Sequence, residues 1–358
     1  MQSAAGSSRR LRAITIEQTR EQAPAPGSAG VSARRYVLPA ALLAALFVRL
    51  AAVAELRPAS DVYYYLSQGA QVLVSGGNPY AHTYTGIPAA LVTPGAQQVF
   101  AYLPFTAIYL VPFYLAGDIR FGLVAADLVV GASIYLYGGR WNLAASLLFL
   151  FIPLTVLFST YYVNAALVAM VFLALFLLFE SRGQPRLGAL SLGLSLASIQ
   201  FALLVAPLAL VYYARKGMWL EVAIAVVAGA AVVLPFLLLT PSFLDQTLLF
   251  QFSRAAAPLV SSGGPLGTLV NPSLDAAVIS LFGFGLPSYA KATVELVVLA
   301  PLSRAKDLSS LARNSTLFVL VSVFVLPNDF FWAYLELPFM LALFWLSAPK
   351  YLAFVKRS

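Results

Sequence analysis

Asp61 is the residue on which chemistry would turn. It opens the run Asp61-Val62-Tyr63-Tyr64-Tyr65, which continues through Gln68, Gly69 and Leu73 to Ser75-Gly76-Gly77-Asn78-Pro79-Tyr80. The pattern resumes at Phe100-Ala101-Tyr102-Leu103-Pro104-Phe105. Two roles are open to the aspartate. At the start of a helix it is favoured by the positive end of the helix dipole. At a water–lipid boundary it is a general base, because that work needs a carboxylate within hydrogen-bond reach of an acceptor hydroxyl. The tyrosines either orient a sugar or anchor the segment at the interface, where Tyr is enriched. His82, the single histidine, follows the Asn78-Pro79-Tyr80 turn. The chain has no cysteine, so a zinc site lacks its usual ligands. His82 is then either a phosphate or acceptor contact or a surface-loop histidine, and no cofactor or metal is required.

Three further places hold polar residues between apolar runs. Asp245, Gln246, Gln251 and Arg254 precede Ser261-Ser262-Gly263-Gly264-Pro265. A guanidinium suits a phosphate because its planar fork bonds bidentately, so Arg254 is the preferred phosphate partner, with an interfacial arginine as the plain alternative. Gln200 lies in a polar interruption ending at Pro207, and Trp332 and Tyr334 lie in the aromatic turn Pro327-Asn328-Asp329-Phe330-Phe331-Trp332-Ala333-Tyr334. Asp118 and Asp127 bracket Arg120. Asp127 is two helical turns past Arg120, so the spacing predicts a structural intramembrane pair between those two.

The elements that must position these residues are set by composition. Of 358 residues, 61% are hydrophobic and only 10% charged, with 22 basic and 14 acidic side chains for a net charge of +8. An ordinary soluble domain is about 25% charged. The composition excludes such a domain, a disordered chain and a disulfide scaffold, and leaves a polytopic membrane protein. The surplus of positive charge is too thin for a nucleic-acid face. Arg9, Arg10, Arg12, Arg20, Arg34 and Arg35 instead mark residues 1–35 as a flexible cytoplasmic flank before a first uncleaved helix at about 37–55.

Further apolar runs fall at about 101–117, 119–137, 142–158, 160–179, 187–213, 218–240, 268–288, 290–303, 314–327 and 331–348. They amount to about 9–12 membrane segments. Arg182 and Arg186 before the run 187–213, with Arg215 and Lys216 after it, require two short helices turning near Gln200–Pro207. Arg304, Lys306 and Arg313 suggest another inside loop, and 351–358 an inside C-terminal tail. If 101–117 and 119–137 both cross, Arg140 falls outside while Arg182 falls inside, a parity the sequence leaves open. Substantial external loops are expected near 56–100 and 241–267. In the first, Ser60 is the N-cap of a helix over about 61–74, closed by Gly76 or Gly77. Val62, Leu66, Ala70 and Leu73 form its apolar stripe, with Asp61, Tyr65 and Gln68 on another face.

Together the acidic residue, the aromatic cluster, the small-residue helix, the Gly-Asn-Pro-Tyr turn and the Tyr-x-Pro at 102–104 resemble the multispanning C-type glycosyltransferases. They are most similar to the polyprenyl-phosphate-mannose-dependent mannosyltransferases and their archaeal and bacterial relatives. The likeness extends to Phe158-Ser159-Thr160-Tyr161-Tyr162-Val163-Asn164, where relatives carry a polar break, and to Gln200–Pro207, where relatives commonly have a Lys before the Pro. Gln200 departs from that pattern and supplies no charge.

The resemblance implies an all-α polytopic membrane protein, a C-type glycosyltransferase-like helical bundle with an extracytoplasmic juxtamembrane helix. Residues 36–350 would form that bundle in the plasma membrane. Its implied activity is hexosyl transfer, with mannose the candidate sugar, from a polyprenyl-phosphate sugar to an acceptor hydroxyl on the extracytoplasmic face, with inversion. Asp61 would be catalytic. Tyr64, Tyr65, Gln68, Asn78, Tyr80, His82, Tyr102, Gln200, Arg254, Trp332 and Tyr334 would bind donor or acceptor. The partners are the lipid-linked donor, a lipid, glycan or protein acceptor, and membrane lipids. A lipid or small-solute transporter and a structural membrane subunit are the competing readings.

Overall fold

The computed structural model of the chain describes residues 28–91, 98–248, 260–264, 267–270, 273–326 and 332–348. Met1–Ala40 is a unit of its own, whose described part is the opening of helix α1 (Ser28–Glu55), with Pro39 inside it. From Ala41 onward the chain is a second unit. Among the described residues, four helices are long and apolar enough to cross a membrane: Tyr36–Glu55, α4 (Arg120–Tyr137), α10 (Trp219–Leu239) and α14 (Leu308–Val325). The pair α5 (Asn142–Phe151) and α6 (Pro153–Thr160) is together long and apolar enough for a fifth span, but is bent by 50° at its break. Pro153 opens α6, where its missing N–H is no loss to the new helix but ends the ladder of the old one.

The remaining helices are shorter: α2 (Asp61–Val74), α3 (Pro104–Leu115), α7 (Ala166–Ser181), α8 (Pro185–Leu196), α9 (Ala206–Arg215), α11 (Phe243–Gln246), α12 (Leu274–Phe282), α13 (Ser288–Leu302) and α15 (Glu336–Leu346). The second loop also carries an antiparallel hairpin, β1 (Val260–Gly264) and β2 (Gly267–Val270), pairing Val260 with Val270 and Gly264 with Gly267. That hairpin is the one departure from an all-helical chain among the described residues.

Helix α7 is the centre of the packing, with Leu167, Val168, Met170, Leu173, Ala174, Phe176 and Leu177 buried in one continuous core. It lies against α4 and α8, and α8 in turn lies against α10. A Cβ on Gly193 of α8 would stand 2.4 Å from the Ala225 carbonyl oxygen of α10. Only a residue without a side chain permits that approach, the usual way helices associate in lipid. The outer face of α10 exposes Val226, Val227, Leu238 and Leu239, an apolar surface that suits a bilayer and not water.

The run 101–117 is not a crossing. Its helix α3 has 12 residues, about 18 Å at 1.5 Å per residue, against a hydrocarbon core of about 30 Å. It lies alongside α2. Residues just before α3 meet the middle of α2, where Phe100 is 2.6 Å from a Cβ position on Gly69. The chain just after α3 returns to the start of α2, where Arg120 donates to the Leu56 carbonyl at 2.7 Å. Both ends of α3 are therefore on the Asp61 side, and α4 makes the first crossing after it.

This removes the parity conflict. Arg182 Nη2 donates to the Leu136 carbonyl at 2.7 Å, so the Arg140 and Arg182 loops share one end of the bundle. The run 187–213 divides into α8 and α9 about a 3-10 turn at Gln200–Leu204, as the flanking basic pairs required. Tyr213 of α9 reaches Glu180 at 2.7 Å, which brings Arg215 and Lys216 to the same end.

The candidate active site

Asp61 sits where local sequence rules put it. Ser60 accepts a hydrogen bond from Val62 N at 3.2 Å and caps α2, with Asp61 in the first turn. At the other end Gly76 adopts φ +75°, and the amides of Gly76 and Gly77 close on the carbonyls of Leu73 and Val72. The approach to Asp61 is fixed by longer-range bonds. Ala59 N donates to the Tyr161 carbonyl at 2.9 Å. The Arg120 guanidinium holds the Leu56 and Thr160 carbonyls at 2.7 and 3.1 Å while paired to Asp118 at 2.7 Å, and lies over the Tyr63 ring. Asp61 is thus half-buried at the meeting of the α1–α2 and α6–α7 connections.

The expected Arg120–Asp127 pair does not form. Arg120 takes Asp118, two residues away, and Asp127 takes Arg49 of α1 at 2.9 Å, both fully buried. An adjacent carboxylate wins Arg120 because it is reached without leaving the helix start. Asp127, inside the bundle, needs a cation from another helix.

The face expected to carry Asp61, Tyr65 and Gln68 together is also split. Tyr65 turns into the core with Leu66, Gly69 and Ala70, its ring tilted against Tyr84 at 5.3 Å, whereas Gln68 binds the backbone of Thr85 through both the nitrogen and the oxygen of its side-chain amide. Tyr64 is half-buried, edge-on to Tyr63 at 5.4 Å.

Asn78 caps the turn Pro79–Ala81 and donates to Thr240 Oγ1 at 2.8 Å. Tyr80 is buried among Phe100, Phe236 and Phe243, and its hydroxyl donates to the Tyr102 carbonyl at 2.7 Å. The Tyr102 ring packs edge-on against Phe100. Burial, with Tyr84 beside it, pushes the Tyr80 phenol well above its ordinary range, and burial followed by Tyr65 does the same to Tyr84. His82 is exposed and meets Tyr84 edge-on at 5.0 Å.

Gln246 donates to the Tyr80 carbonyl, and Gln200 donates to the carbonyls of Ala101 and Thr247. The two loops thus converge on one aromatic base, and the polar atoms of Asn78, Tyr80 and Gln200 serve that union. Tyr334 packs on Phe201 at 4.3 Å. With Asn164, Ile199, Phe201, Val319, Val323 and Leu337 it lines a small recess. Arg254 and the side chain of Trp332 lie outside the described residues, as does Asp329.

Sequence reasoning passed over Arg49 and Glu336. Glu336 Oε2 accepts from Asn164 Nδ2 at 2.6 Å, and its side chain is buried at the start of α15. The signal for both was available, since an ionisable residue inside an apolar run is a functional or paired residue by default.

The chain is similar in structure to ArnT from Cupriavidus metallidurans bound to undecaprenyl phosphate, seen in its crystal structure, with a TM-score of 0.56 and 15% identity over 90% of this chain. The fold is shared with ArnT. Its apo-state structure gives the same TM-score at 16% identity, covering 89% of this chain and 59% of ArnT. The chain therefore spans about three fifths of ArnT's length, 60% in the lipid-bound structure. The polytopic helical bundle expected from the sequence is the fold found, and it is the fold of ArnT. No protein-family model matches the sequence, and no curated protein matches it.

Proposed function

We propose that the protein transfers a hexosyl group, with mannose the first candidate, from a polyprenyl-phosphate sugar to an acceptor hydroxyl. The observation that carries this reading is Asp61, half-buried at a capped helix start on the end of an ArnT-like bundle opposite its basic loops. Positive loops face the cytoplasm, so the Asp61 end is extracytoplasmic, where a lipid carrier presents its head group. The ArnT structure holds undecaprenyl phosphate, a carrier of the same chemical kind as the donor proposed here.

In the reaction the acceptor oxygen attacks the anomeric carbon as its proton passes to the Asp61 carboxylate. The bond from that carbon to the phosphate oxygen breaks, and the polyprenyl phosphate leaves with the electron pair. One carboxylate acting alone gives direct displacement and inversion. Arg254 would stabilise the leaving phosphate. His82, exposed beside the Asp61 helix, is open to ligand. Tyr64, Tyr102, Trp332 and Tyr334 would orient donor or acceptor, while Tyr65, Gln68, Asn78, Tyr80 and Gln200 would act by holding the loops in place.

The test is transfer of radiolabelled mannose from polyprenyl-phosphate mannose to a panel of lipid, glycan and peptide acceptors, by purified wild-type and Asp61→Asn protein. Loss of a general base lowers the rate by about 10²–10⁴-fold. Equal rates for the two proteins would remove Asp61 from the chemistry, and no product with any donor sugar would remove the transfer reading.

A further inference from the structure

The donor in the proposed reaction carries a phosphate, and the cations that could meet it differ in how far they are already committed. Arg120 gives Nη1 to the Leu56 and Thr160 carbonyls, and Nε and Nη2 to Asp118. Arg49 is fully buried on Asp127, and Lys291 is buried on Asp275 at 3.3 Å. Gln200 is neutral, and its amide nitrogen already donates to the Ala101 and Thr247 carbonyls. Arg140, Arg182, Arg215 and Lys216 stand at the opposite end of the bundle. Arg57 is the exception. It is exposed, four residues before Asp61. Its side chain makes no hydrogen bond or ion pair among the described residues, not even with the exposed Glu55 beside it.

The backbone that carries Arg57 is fixed on both sides. Leu56 donates to the Ala52 carbonyl at 2.9 Å and accepts from Arg120 at 2.7 Å. Pro58 has a fixed φ of its own and holds the residue before it in extended conformations. Ala59 donates to the Tyr161 carbonyl at 2.9 Å, and Ser60 caps α2. Leu56, Pro58, Ala59 and Ser60 are half-buried, so Arg57 is the one exposed side chain of the α1–α2 connection. A guanidinium with a fixed root has less ordering left to do when it binds. Helix α1 leads up to it with Leu43, Phe47, Leu50 and Ala54 exposed. Their spacing of four, three and four places them in one apolar stripe along the helix.

We propose that Arg57 binds the phosphate of the polyprenyl-phosphate donor, with the first isoprenoid carbons along the Leu43, Phe47, Leu50 and Ala54 stripe. The inference rests on the transfer reading and names the group of that site that holds the leaving phosphate. A guanidinium fork bonds two phosphate oxygens at once. Breaking the bond between the anomeric carbon and the phosphate oxygen turns a diester into a monoester, which leaves with the electron pair and gains a negative charge. Arg57 therefore bonds the departing phosphate more strongly than the intact donor, and only such a difference speeds the chemical step. The bonds that fix Leu56 and Ala59 also lead directly into Ser60 and Asp61. Base and phosphate ligand are thus carried on one short, rigid segment.

Native mass spectrometry of the detergent-purified full chain tests this with two ligands, undecaprenyl phosphate and the uncharged undecaprenol. The proteins are wild type, Arg57→Gln and, as a control at the opposite end of the bundle, Arg140→Gln. Wild type should bind the phosphate more tightly than the alcohol. Arg57→Gln should lose about tenfold or more of the phosphate affinity, the worth of a charged hydrogen bond, with undecaprenol binding unchanged. Arg140→Gln should bind both as wild type does. Undiminished phosphate binding by Arg57→Gln, an equal loss of undecaprenol, or an equal loss in Arg140→Gln would overturn the proposal. So would wild-type protein that binds no undecaprenyl phosphate. Displacement of undecaprenyl phosphate by an equal amount of phosphatidylglycerol would overturn it too, leaving Arg57 an ordinary interfacial cation. The ligands carry no sugar, so phosphate binding can survive the loss of the transfer reading, and transfer can survive the loss of Arg57 as its phosphate ligand.

Discussion

Replacing Arg49 with Met would test whether the α1–α4 contact rests on the buried ion pair. Methionine keeps an unbranched stem of similar reach but removes the charge. The change deletes the 2.9 Å bond to Asp127, the 2.8 Å bond to the Leu150 carbonyl and the 3.3 Å bond to Thr155. More damaging, it leaves a carboxylate with 0% exposure and no cation. Breaking one side of a buried pair costs about 3–5 kcal/mol. At about 2 °C per kcal/mol for a chain of this size, that is a fall in melting temperature of roughly 6–10 °C. Asp127→Leu should cost a similar amount by stranding the arginine, whereas the double variant, with no buried charge left, should melt above either single one. The assay is thermal unfolding of detergent-purified protein, followed by near-ultraviolet circular dichroism across the four-member cycle. If the two losses simply add, to within about 0.5 kcal/mol, the groups do not interact and the argument from burial is wrong.

Gly69→Ala should destabilise by about 1–3 kcal/mol, because the new methyl would stand 2.6 Å from the buried Phe100 ring that joins α2 to the start of α3. The same melts would show it, and an unchanged melting temperature would mean that the two helices do not pack as described. Gly139→Ala should be worse, since its φ of +109° disfavours a side chain and its Cβ would lie against the Ser347 carbonyl. Tyr80 and Tyr84 give a pH signature. Their phenols are raised above the unfolded value of about 10. Their contribution is fully present below about pH 10 and is lost as pH rises through the higher folded value. Melting temperatures of Tyr80→Phe/Tyr84→Phe should therefore fall less steeply than wild type above about pH 10, and parallel curves would refute the assignment.

Helix α2 was legible because everything that defines it is local. Ser60, Asp61 and the Gly76-Gly77 stop lie within a few residues of the bonds they make. The turn at Gln200–Leu204 was legible for a different reason. Basic residues on both sides of one apolar run leave the chain no option but to double back. Helix α3 was not legible, since a span and a helix lying against another are equally apolar. What separates them is contact of Leu110 and Phe113 of α3 with Gly122, and of the preceding Phe100 with Gly69, glycines that belong to other elements. Nor could the tyrosines be sorted in advance. Tyr64 and Tyr65 are neighbours of the same type, and a rotation of one position turns Tyr65 into the core against Tyr84.

The sequence by itself determined that this chain lives in a membrane, that a capped helix begins at Asp61, and that its basic loops mark one face. Composition and short-range bonding are sufficient for these, because each depends on the cost of charge in lipid or on groups a few residues apart. Tertiary structure alone decided the distant partners of the buried polar groups. Arg49 and Asp127 are 78 positions apart, and Asn164 and Glu336 are 172 apart. No spacing rule reaches that far. A buried polar group takes whichever partner the packing of its helices brings within reach, and here that gave Asp127 to Arg49 and Glu336 to the Asn164 amide.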